Sequence, residues 1–208
     1  MNKKWKYIIG IDEAGRGPLA GPVYAGVVAL PRDYKQLFKR TNAPQKLADS
    51  KKLTARQREE WFAWMKNHTI PYAYAFVSAK QVDVINIARA SDRAAQGAYN
   101  KMKGKRVKGK VRVIADGGLT VSVPKNVSFK CYPKADELVP AVSLASIVAK
   151  VMRDRYMTRL DKKYPHYGFA VHKGYGTKKH YIALRKQGIS PVHRLTFLGS
   201  LHTMKKRK

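Results

Sequence analysis

The stretch Gly10–Pro22, GIDEAGRGPLAGP, decides the fold, because a buried strand runs into it and two acids stand at the junction. The apolar residues before it, Tyr7–Ile9, are typical of a strand in the interior of a sheet. Asp12 and Glu13 then follow. Since neighbouring residues of a regular strand point to opposite faces, these two acids can serve one site only if the strand ends or distorts there.

The residues behind the two acids permit such a distortion. Gly15 and Gly17 accept backbone angles that other residues avoid, and they let the backbone approach a ligand closely. The guanidinium of Arg16, which stands between them, suits a phosphate group. The alternative is a strand followed by a tight turn with solvated charges, which is common for a lone acidic pair.

The segment Asp12–Pro18, DEAGRGP, followed by Leu19–Val23, LAGPV, closely resembles the N-terminal signature of the type 2 ribonucleases H, the ribonuclease HII family. The resemblance continues to about residue 200. It implies an α/β ribonuclease H-like fold, a mixed five-stranded sheet flanked by helices, with a small C-terminal helical extension. It also implies a catalytic domain at 1–163, and a C-terminal extension with a basic tail at 164–208 that completes the substrate groove.

The charge of the chain indicates a polyanionic partner. Lys and Arg number 43 against 13 acids, which gives a net charge of +30. Such an excess attracts nucleic acid first. An anionic membrane surface is a weaker alternative, and a lysine-rich proteome could account for part of the charge. No segment is long enough to span a bilayer and no apolar signal region follows the basic start, so we expect no membrane association.

The single cysteine, Cys131, limits the redox and metal chemistry of the chain. An intramolecular disulfide is impossible, and a reducing cytoplasm is the simplest location. A metal site built on thiolates is excluded. Any metal would therefore lie among oxygen ligands, which favours Mg²⁺ or Mn²⁺ over zinc.

A third acid, Asp116, stands at the end of the apolar run Val111–Ala115 and before Gly117–Gly118. In sheets flanked by helices, sites gather at strand ends where the chain turns away. Asp116 is therefore a natural partner for Asp12 and Glu13. The alternative is an Asp that opens a tight glycine turn.

The fourth acid is either Asp136 or Asp154. Asp136 stands just before a helix that we expect to begin near Pro140, and Asp154 lies well inside that helix. Their separation along a straight helix is about 27 Å, so one site cannot take both. We choose Asp136 and expect Asp154 to be structural and to pair with a nearby arginine such as Arg153 or Arg155. Glu137 could compete with Asp136. The resemblance agrees, because residues 134–136 and 142–151 look like the fourth-acid segment of the family.

The resemblance also implies substrate contacts. A lysine just before a helix at 55–67 would meet a substrate phosphate, and Lys51 or Lys52 is that lysine here; the helix N-terminus would help to hold the phosphate. Tyr175 would pack against the sugar beside the scissile bond. The backbone of the turn 15–17 would meet the 2′-hydroxyl of a ribonucleotide. The alternative for the lysines is an exposed basic cap.

Three further expectations concern groups outside the acidic site. Residues 80–102 read as one long helix, on which Asp83 and Asp92 are surface acids. His166 and His172 read as solvated loop histidines. The segment Met204–Lys208 reads as a disordered basic tail that adds non-specific affinity for nucleic acid.

Four acids in one site would raise each other's pKa values unless cations intervene. Two divalent ions, Mg²⁺ or Mn²⁺, about 4 Å apart can activate a water and stabilise the leaving oxygen of a phosphodiester. The resemblance implies an endoribonuclease that hydrolyses the RNA strand of RNA–DNA hybrids and cuts 5′ of ribonucleotides embedded in duplex DNA. The products would carry 5′-phosphate and 3′-hydroxyl ends.

Two other functions are compatible with the composition. A non-catalytic RNA-binding protein would explain the charge and the tyrosines but not the placement of the acids. A metal nuclease with another specificity would cut substrates without ribonucleotides. We expect a monomer without the additional N-terminal domain of the related ribonuclease HIII subfamily. The tail shows no clear clamp-binding pattern, and the sequence does not decide whether a sliding-clamp partner exists.

Overall fold

Strands and helices alternate along the chain in a computed structural model that describes residues 5–44, 47, 52–103, 105 and 107–199. The strands are β1 Tyr7–Ala14, β2 Val23–Pro31, β3 Tyr72–Val77, β4 Val111–Asp116 and β5 Ser128–Tyr132. The helices are α1 Tyr34–Arg40, α2 Ala55–Asn67, α3 Ala79–Ile85, α4 Ile87–Met102, α5 Ala135–Leu138, α6 Pro140–Lys163, α7 Phe169–His172 and α8 Lys178–Gln187. Short 3-10 turns lie at 165–167 and 195–197.

The five strands form one sheet in the order β3-β2-β1-β4-β5. β1 lies in the middle, antiparallel to β2 and parallel to β4. β2 pairs with β3 in antiparallel register, and β4 pairs with β5 in parallel register. The predicted mixed five-stranded α/β sheet is therefore confirmed, and the middle strand is the one that leads into the two adjacent acids.

Helices cover both faces of this sheet. On one face, alanines of α4 pack against Ile9 and Ile11 of β1 and Val113 of β4. On the other face, α6 and α2 share an apolar cluster with the end of β2. α6 approaches the sheet closely, because a Cβ on Gly10 would overlap the backbone of Ala141. The start of α6 is thereby held against β1, just below the two acids.

The predicted single helix over 80–102 is wrong, because the chain breaks at Asn86. This residue has a φ of +62° and separates α3 from α4. Its side chain accepts a hydrogen bond from the backbone N–H of Arg89 at 3.0 Å, which caps α4. Asparagine is a good N-cap residue, so the break at Asn86 starts α4 with its first turn capped and leaves the apolar periodicity of both helices intact.

The C-terminal elements pack onto the turn between β1 and β2. Leu19, Ala20 and Met157 share an apolar cluster with residues of α7 and α8, among them Phe169 and Leu184. The backbone adds hydrogen bonds from the N–H of Leu19 to the carbonyl of Gly174 and from the N–H of Arg194 to the carbonyl of Leu19, both at 2.8 Å. Among the described residues, no helix has the length and apolar character needed to cross a bilayer.

Candidate active site

Asp12 and Asp116 lie side by side at the ends of neighbouring parallel strands. The pairing of β1 with β4 runs from Tyr7 opposite Val111 to Ile11 opposite Ala115, so the next residue on each strand is the acid. Parallel strands present their carboxyl ends at one edge of the sheet, which is where sites form in α/β folds. The structure thus brings together the two acids that the strand patterns single out.

Asp136 joins this pair from α5. Lys134, with a φ of +60°, turns the chain after β5 and starts the short helix. The backbone N–H of Ala135 donates to Oδ1 of Asp116 at 2.7 Å, and the hydroxyl of Ser143 donates to the carbonyl of Asp136. Asp12, Asp116 and Asp136 each offer a carboxylate oxygen, and these oxygens lie within 4.8 Å of one another.

The environment of Asp12 opposes its negative charge. Its side chain is buried, with 5% exposed. Burial raises the pKa of Asp12 well above its usual value, and the charges of Glu13 and Asp116 raise it further. Hydrogen bonds from the hydroxyl of Ser146 and from the backbone N–H of Glu13 act in the opposite direction. Three carboxylates in this arrangement need a cation to ionise together, and their oxygen donors suit a divalent ion such as Mg²⁺ or Mn²⁺.

Glu13 follows Asp12 within β1, which ends one residue later, at Ala14. β1 stays paired with β2 through Glu13 opposite Ala25 and Ala14 opposite Tyr24. The alternation of a regular strand therefore turns Glu13 away from the face that Asp12 occupies. The charge of Glu13 still acts on Asp12, and its carboxylate lies 3.4 Å from the guanidinium of Arg16. Glu13 therefore lies beside the three carboxylates, close enough for its charge to raise the pKa of Asp12.

The competing acids lie elsewhere. Glu137 points away and pairs with Lys52 at 3.2 Å. Asp154 contacts Lys150 at 2.8 Å, with Arg58 at 3.7 Å. The expected arginine partner of Asp154 is therefore Arg58 of α2, and not Arg153 or Arg155. Residues four apart share a helix face whereas adjacent residues do not, which explains why Lys150 is the partner.

Arg155 instead pairs with Glu59 of α2 at 2.6 Å. Arg153 points inward and is 1% exposed. The two neighbours of Asp154 thus serve two different surfaces of α6, one toward α2 and the other toward the turn after β1.

Gly15, Gly17 and Tyr175, three of the predicted substrate residues, lie among the residues that the structure describes. Gly15 has a φ of +94°, and a Cβ added to Gly17 would meet no atom within 4 Å. The side chain of Tyr175 is 43% exposed, with the guanidinium carbon of Arg153 at 5.8 Å and Nζ of Lys150 at 6.0 Å from its ring centroid. Lys51 lies outside the described residues.

Two buried arginines were missed by the sequence analysis. Arg153 and Arg194 are 1% and 0% exposed, and both donate hydrogen bonds to backbone carbonyls of the turn after β1. Burial, and next the charge of Arg153, lower the pKa of Arg194 to about 9, so it remains a cation at neutral pH. Nothing in their local sequence distinguishes them from the other basic residues of the chain.

The expectation of a solvated His172 is also wrong. This ring is 8% exposed and stacks on His180 with their centroids 4.3 Å apart. His180 in turn lies 3.0 Å from His193, measured between their Nε2 atoms. These three rings form a buried histidine cluster beneath the loop of Tyr175. They meet only because α8 and the segment after it fold back, which the local composition does not reveal.

Comparisons with known proteins agree with this geometry. The sequence model of the family described as ribonuclease HII matches residues 9–199. Ribonuclease HII of Ruminiclostridium cellulolyticum is 41% identical over 201 residues, covering 95% of this chain and 72% of that protein. Ribonuclease HII of Coxiella burnetii is 42% identical over 190 residues, covering 91% of this chain and 87% of that protein.

Solved structures show the same fold. The ribonuclease H2 from Pyrococcus horikoshii superposes with a TM-score of 0.74 at 25% identity, covering 95% of this chain and 97% of that one. The PCNA:RNase HII complex from Archaeoglobus fulgidus gives a TM-score of 0.67 at 26% identity, covering 97% of this chain and 96% of that one. From its sequence match, its sheet and its acidic group together, the chain belongs to the ribonuclease HII family and is a metal-dependent endoribonuclease that cleaves the RNA of RNA–DNA hybrids.

Proposed function

We propose that this protein also cuts duplex DNA on the 5′ side of an embedded ribonucleotide, and that it leaves 5′-phosphate and 3′-hydroxyl ends. The observation that carries the chemistry is the group of three carboxylates, Asp12, Asp116 and Asp136, whose oxygens lie within 4.8 Å of one another. The chain has 43 basic residues and only 13 acids. Three carboxylates grouped at the ends of two strands in such a chain favour a metal site in an enzyme that acts on nucleic acid.

The catalytic and metal-binding residues of the proposal are Asp12, Glu13, Asp116 and Asp136. Two divalent ions, Mg²⁺ or Mn²⁺, would supply the activation of a water and the stabilisation of the leaving oxygen when bound. The protein's own contribution is orientation. The N–H of Ala135 fixes the carboxylate of Asp116 at 2.7 Å, and the N–H of Glu13 fixes that of Asp12 at 2.7 Å.

Selectivity for ribonucleotides would come from the 2′-hydroxyl, the group that separates RNA from DNA. We assign its recognition to the backbone of Gly15, Arg16 and Gly17, which follows the acids directly. Tyr175 would pack against the neighbouring deoxyribose. Its ring is well exposed and close to two cations, which suits contact with a sugar flanked by phosphates.

The remaining substrate contacts would follow from charge. Lys51 and Lys52 precede α2 and would meet a substrate phosphate; Lys52 would have to exchange its contact with Glu137 for that phosphate. We also propose that residues 1–163 form the catalytic domain, and that residues 164–208 complete the substrate groove. The protein would act in the cytoplasm, as a monomer.

An end-labelled DNA duplex with one ribonucleotide tests the proposal. It is incubated with Mg²⁺, with Mn²⁺ or with EDTA, and with the wild type, Asp116→Asn or Asp33→Asn. Asp33 is an exposed acid before α1 and serves as the matched control. We expect metal-dependent cutting 5′ of the ribonucleotide by the wild type and the control, and none by Asp116→Asn. A duplex that stays intact while a long RNA–DNA hybrid is cut would overturn the junction activity and leave the hybrid activity standing.

A further inference from the structure

Arg194 binds the turn that follows the two acids through every nitrogen of its guanidinium. Nη2 donates to the carbonyl of Gly15 at 2.6 Å, Nη1 to the carbonyl of Arg16 at 2.7 Å, and Nε to the carbonyl of Gly21 at 3.0 Å. The side chain is completely buried. A cation is expensive to bury, and here the carbonyl dipoles of one turn replace its water.

Arg153 binds the second half of the same turn from α6. Its Nε donates to the carbonyl of Pro22 at 3.0 Å, and its Nη2 donates to the carbonyl of Ala20 at 3.3 Å. Its side chain also fills the space that a Cβ of Gly15 would need. Two arginines that are far apart in sequence therefore fix five carbonyls of one short turn.

The direction of these carbonyls sets the direction of the amide groups. In a trans peptide unit the C=O and the following N–H point to opposite sides of a rigid plane. When the carbonyls of Gly15 and Arg16 point inward to Arg194, the N–H groups of Arg16 and Gly17 point outward. Within the part of the chain that the structure describes, neither of these two N–H groups has an acceptor in the protein.

We propose that Arg194, supported by Arg153, is a positioning residue for ribonucleotide recognition: it holds the peptide units 15–16 and 16–17 so that two outward N–H groups meet the 2′-hydroxyl. The inference rests on the proposed role of this turn and adds the residues that aim it. The carbonyls lie in three directions, which suits the planar fork of arginine and not the single ammonium of lysine.

The segment that carries Arg194 is also held by Asp83, so the proposal can be tested by a substitution that leaves the buried arginines in place. Asp83, at the end of α3, accepts hydrogen bonds from the backbone N–H of Leu195 at 2.8 Å and from the N–H of Thr196 at 3.0 Å. These residues follow Arg194 directly. Removing the carboxylate in Asp83→Ala loosens the segment that carries Arg194 while the buried guanidinium itself is retained.

The test compares two DNA duplexes that differ only at the scissile sugar, 2′-hydroxyl in one and 2′-fluoro in the other, under single-turnover conditions. The proteins are the wild type, Arg194→Lys, Asp83→Ala and Arg185→Lys, where Arg185 is an exposed arginine of α8. We expect Arg194→Lys to lower the single-turnover cleavage rate constant of the hydroxyl substrate by roughly tenfold, the size of one lost hydrogen bond, and to leave that of the fluoro substrate unchanged. Asp83→Ala should lower the ratio of the hydroxyl rate to the fluoro rate by less than Arg194→Lys does. Arg185→Lys should leave this ratio unchanged.

A merely structural role would slow both substrates equally, and that result would overturn the proposal. If the wild type itself did not distinguish the two sugars, the proposed role of the turn would fail, which is a different outcome. Should Arg194→Lys not fold, amide NMR spectra of Asp83→Ala in an uncleaving Asp116→Asn background give the answer. A 2′-hydroxyl-dependent shift of the Arg16 and Gly17 amides that Asp83→Ala leaves fully intact would also contradict the proposal.

Discussion

Gly10 of β1 lies in direct contact with the backbone of Ala141 in α6, and no side chain fits between them. Gly26 of β2 makes the same contact one turn further along α6, against the carbonyl of Ala145. Close packing of this kind fixes the height of α6 above the sheet. It also fixes the acidic group, because Asp12 follows Gly10 by two residues and Asp136 lies just before α6.

Replacing Gly10 by alanine should therefore destabilise the protein. The added methyl group overlaps backbone atoms, which cannot move aside as a side chain would, so we expect a loss of at least about 1–3 kcal/mol in the free energy of unfolding. Urea unfolding measures it. Gly118→Ala is the matched control, because a Cβ there meets nothing within 4 Å. Equal unfolding curves for the two variants would show that α6 does not rest on β1 as described.

Asp12→Asn should have opposite effects on the melting temperature in the presence and in the absence of divalent metal. Divalent ions bind the folded protein and should raise its melting temperature, by an amount that corresponds to roughly 3 kcal/mol at a hundredfold excess over Kd. Asp12→Asn should lose most of this gain. In EDTA, the same variant should melt at an equal or higher temperature than the wild type, because burial and the charge of Glu13 oppose ionised Asp12.

Differential scanning calorimetry with Mg²⁺, with Mn²⁺ and with EDTA gives the melting temperature of each variant in EDTA and its increase when metal is added. Asp33→Asn is the control and should keep the full metal response. If Asp12→Asn were less stable than the wild type in EDTA while it still gained from metal, the carboxylate would serve the fold and not an ion.

The parts of the site that could be predicted from the sequence are those with a local signal. Asp12 and Asp116 each follow a short apolar strand and precede glycine, and the parallel pairing of β1 with β4 then brings them together. The length of the intervening helix excludes a site that holds both Asp136 and Asp154. The resemblance of residues 134–136 and 142–151 to the fourth-acid segment of the family then favours Asp136.

The parts that could not be predicted depend on contacts between distant segments. Arg194 looks like any other basic residue until the C-terminal segment folds back onto the turn after β1. His172 looks like a loop residue until α8 covers it. Glu13 is a different case, since the strand alternation that sets it on the other face from Asp12 was visible in the sequence and the glycines behind it made a distortion plausible. The strand pairing with β2 overrides that freedom.

Tyr175 should contribute through its ring and not through its hydroxyl. Tyr175→Ala removes the surface that would pack on the sugar, and we expect kcat/KM on the single-ribonucleotide duplex to fall by about tenfold or more, the effect of losing one stacking contact. Tyr175→Phe keeps the ring and should stay within about twofold of the wild type. Steady-state cleavage rates distinguish the two cases. A loss in Tyr175→Phe as large as in Tyr175→Ala would instead assign the role to the hydroxyl.

The buried histidine cluster should make the protein sensitive to acid. A carbonyl can only accept, so Nδ1–H of His180 donates to the carbonyl of Tyr175 at 2.9 Å and its Nε2 is an acceptor. His193 then donates to it through Nε2–H at 3.0 Å, and Nδ1 of His193 accepts from the N–H of Ser190 at 3.1 Å. Both rings are then neutral, and Nδ1 of His193 also lies 2.8 Å from the hydroxyl oxygen and 3.3 Å from the carbonyl oxygen of Ser190.

Burial, in each case the largest cause, lowers the pKa of His180 and of His193 to about 4. Since the ordinary value is about 6.5, the unfolded chain takes up protons between those two values while the folded protein does not. Stability must therefore fall as the pH drops from about 6.5 toward 4, and the two rings together should cost on the order of 3 kcal/mol between pH 6.5 and 5.

Other groups also titrate between pH 6.5 and 5, so a comparison with a variant is needed to isolate the contribution of the histidine cluster to the loss of stability. His193→Asn keeps an acceptor for the N–H of Ser190 but cannot be protonated. Its free energy of unfolding should be lower than that of the wild type at pH 7, and it should decline less by about 1–2 kcal/mol between pH 6.5 and 5. His166→Asn, which changes an exposed histidine, should decline as the wild type does. Parallel pH profiles for all three proteins would mean that His193 takes up its second proton at the same pH in the folded protein as in the unfolded chain, and that burial in the cluster does not lower its pKa.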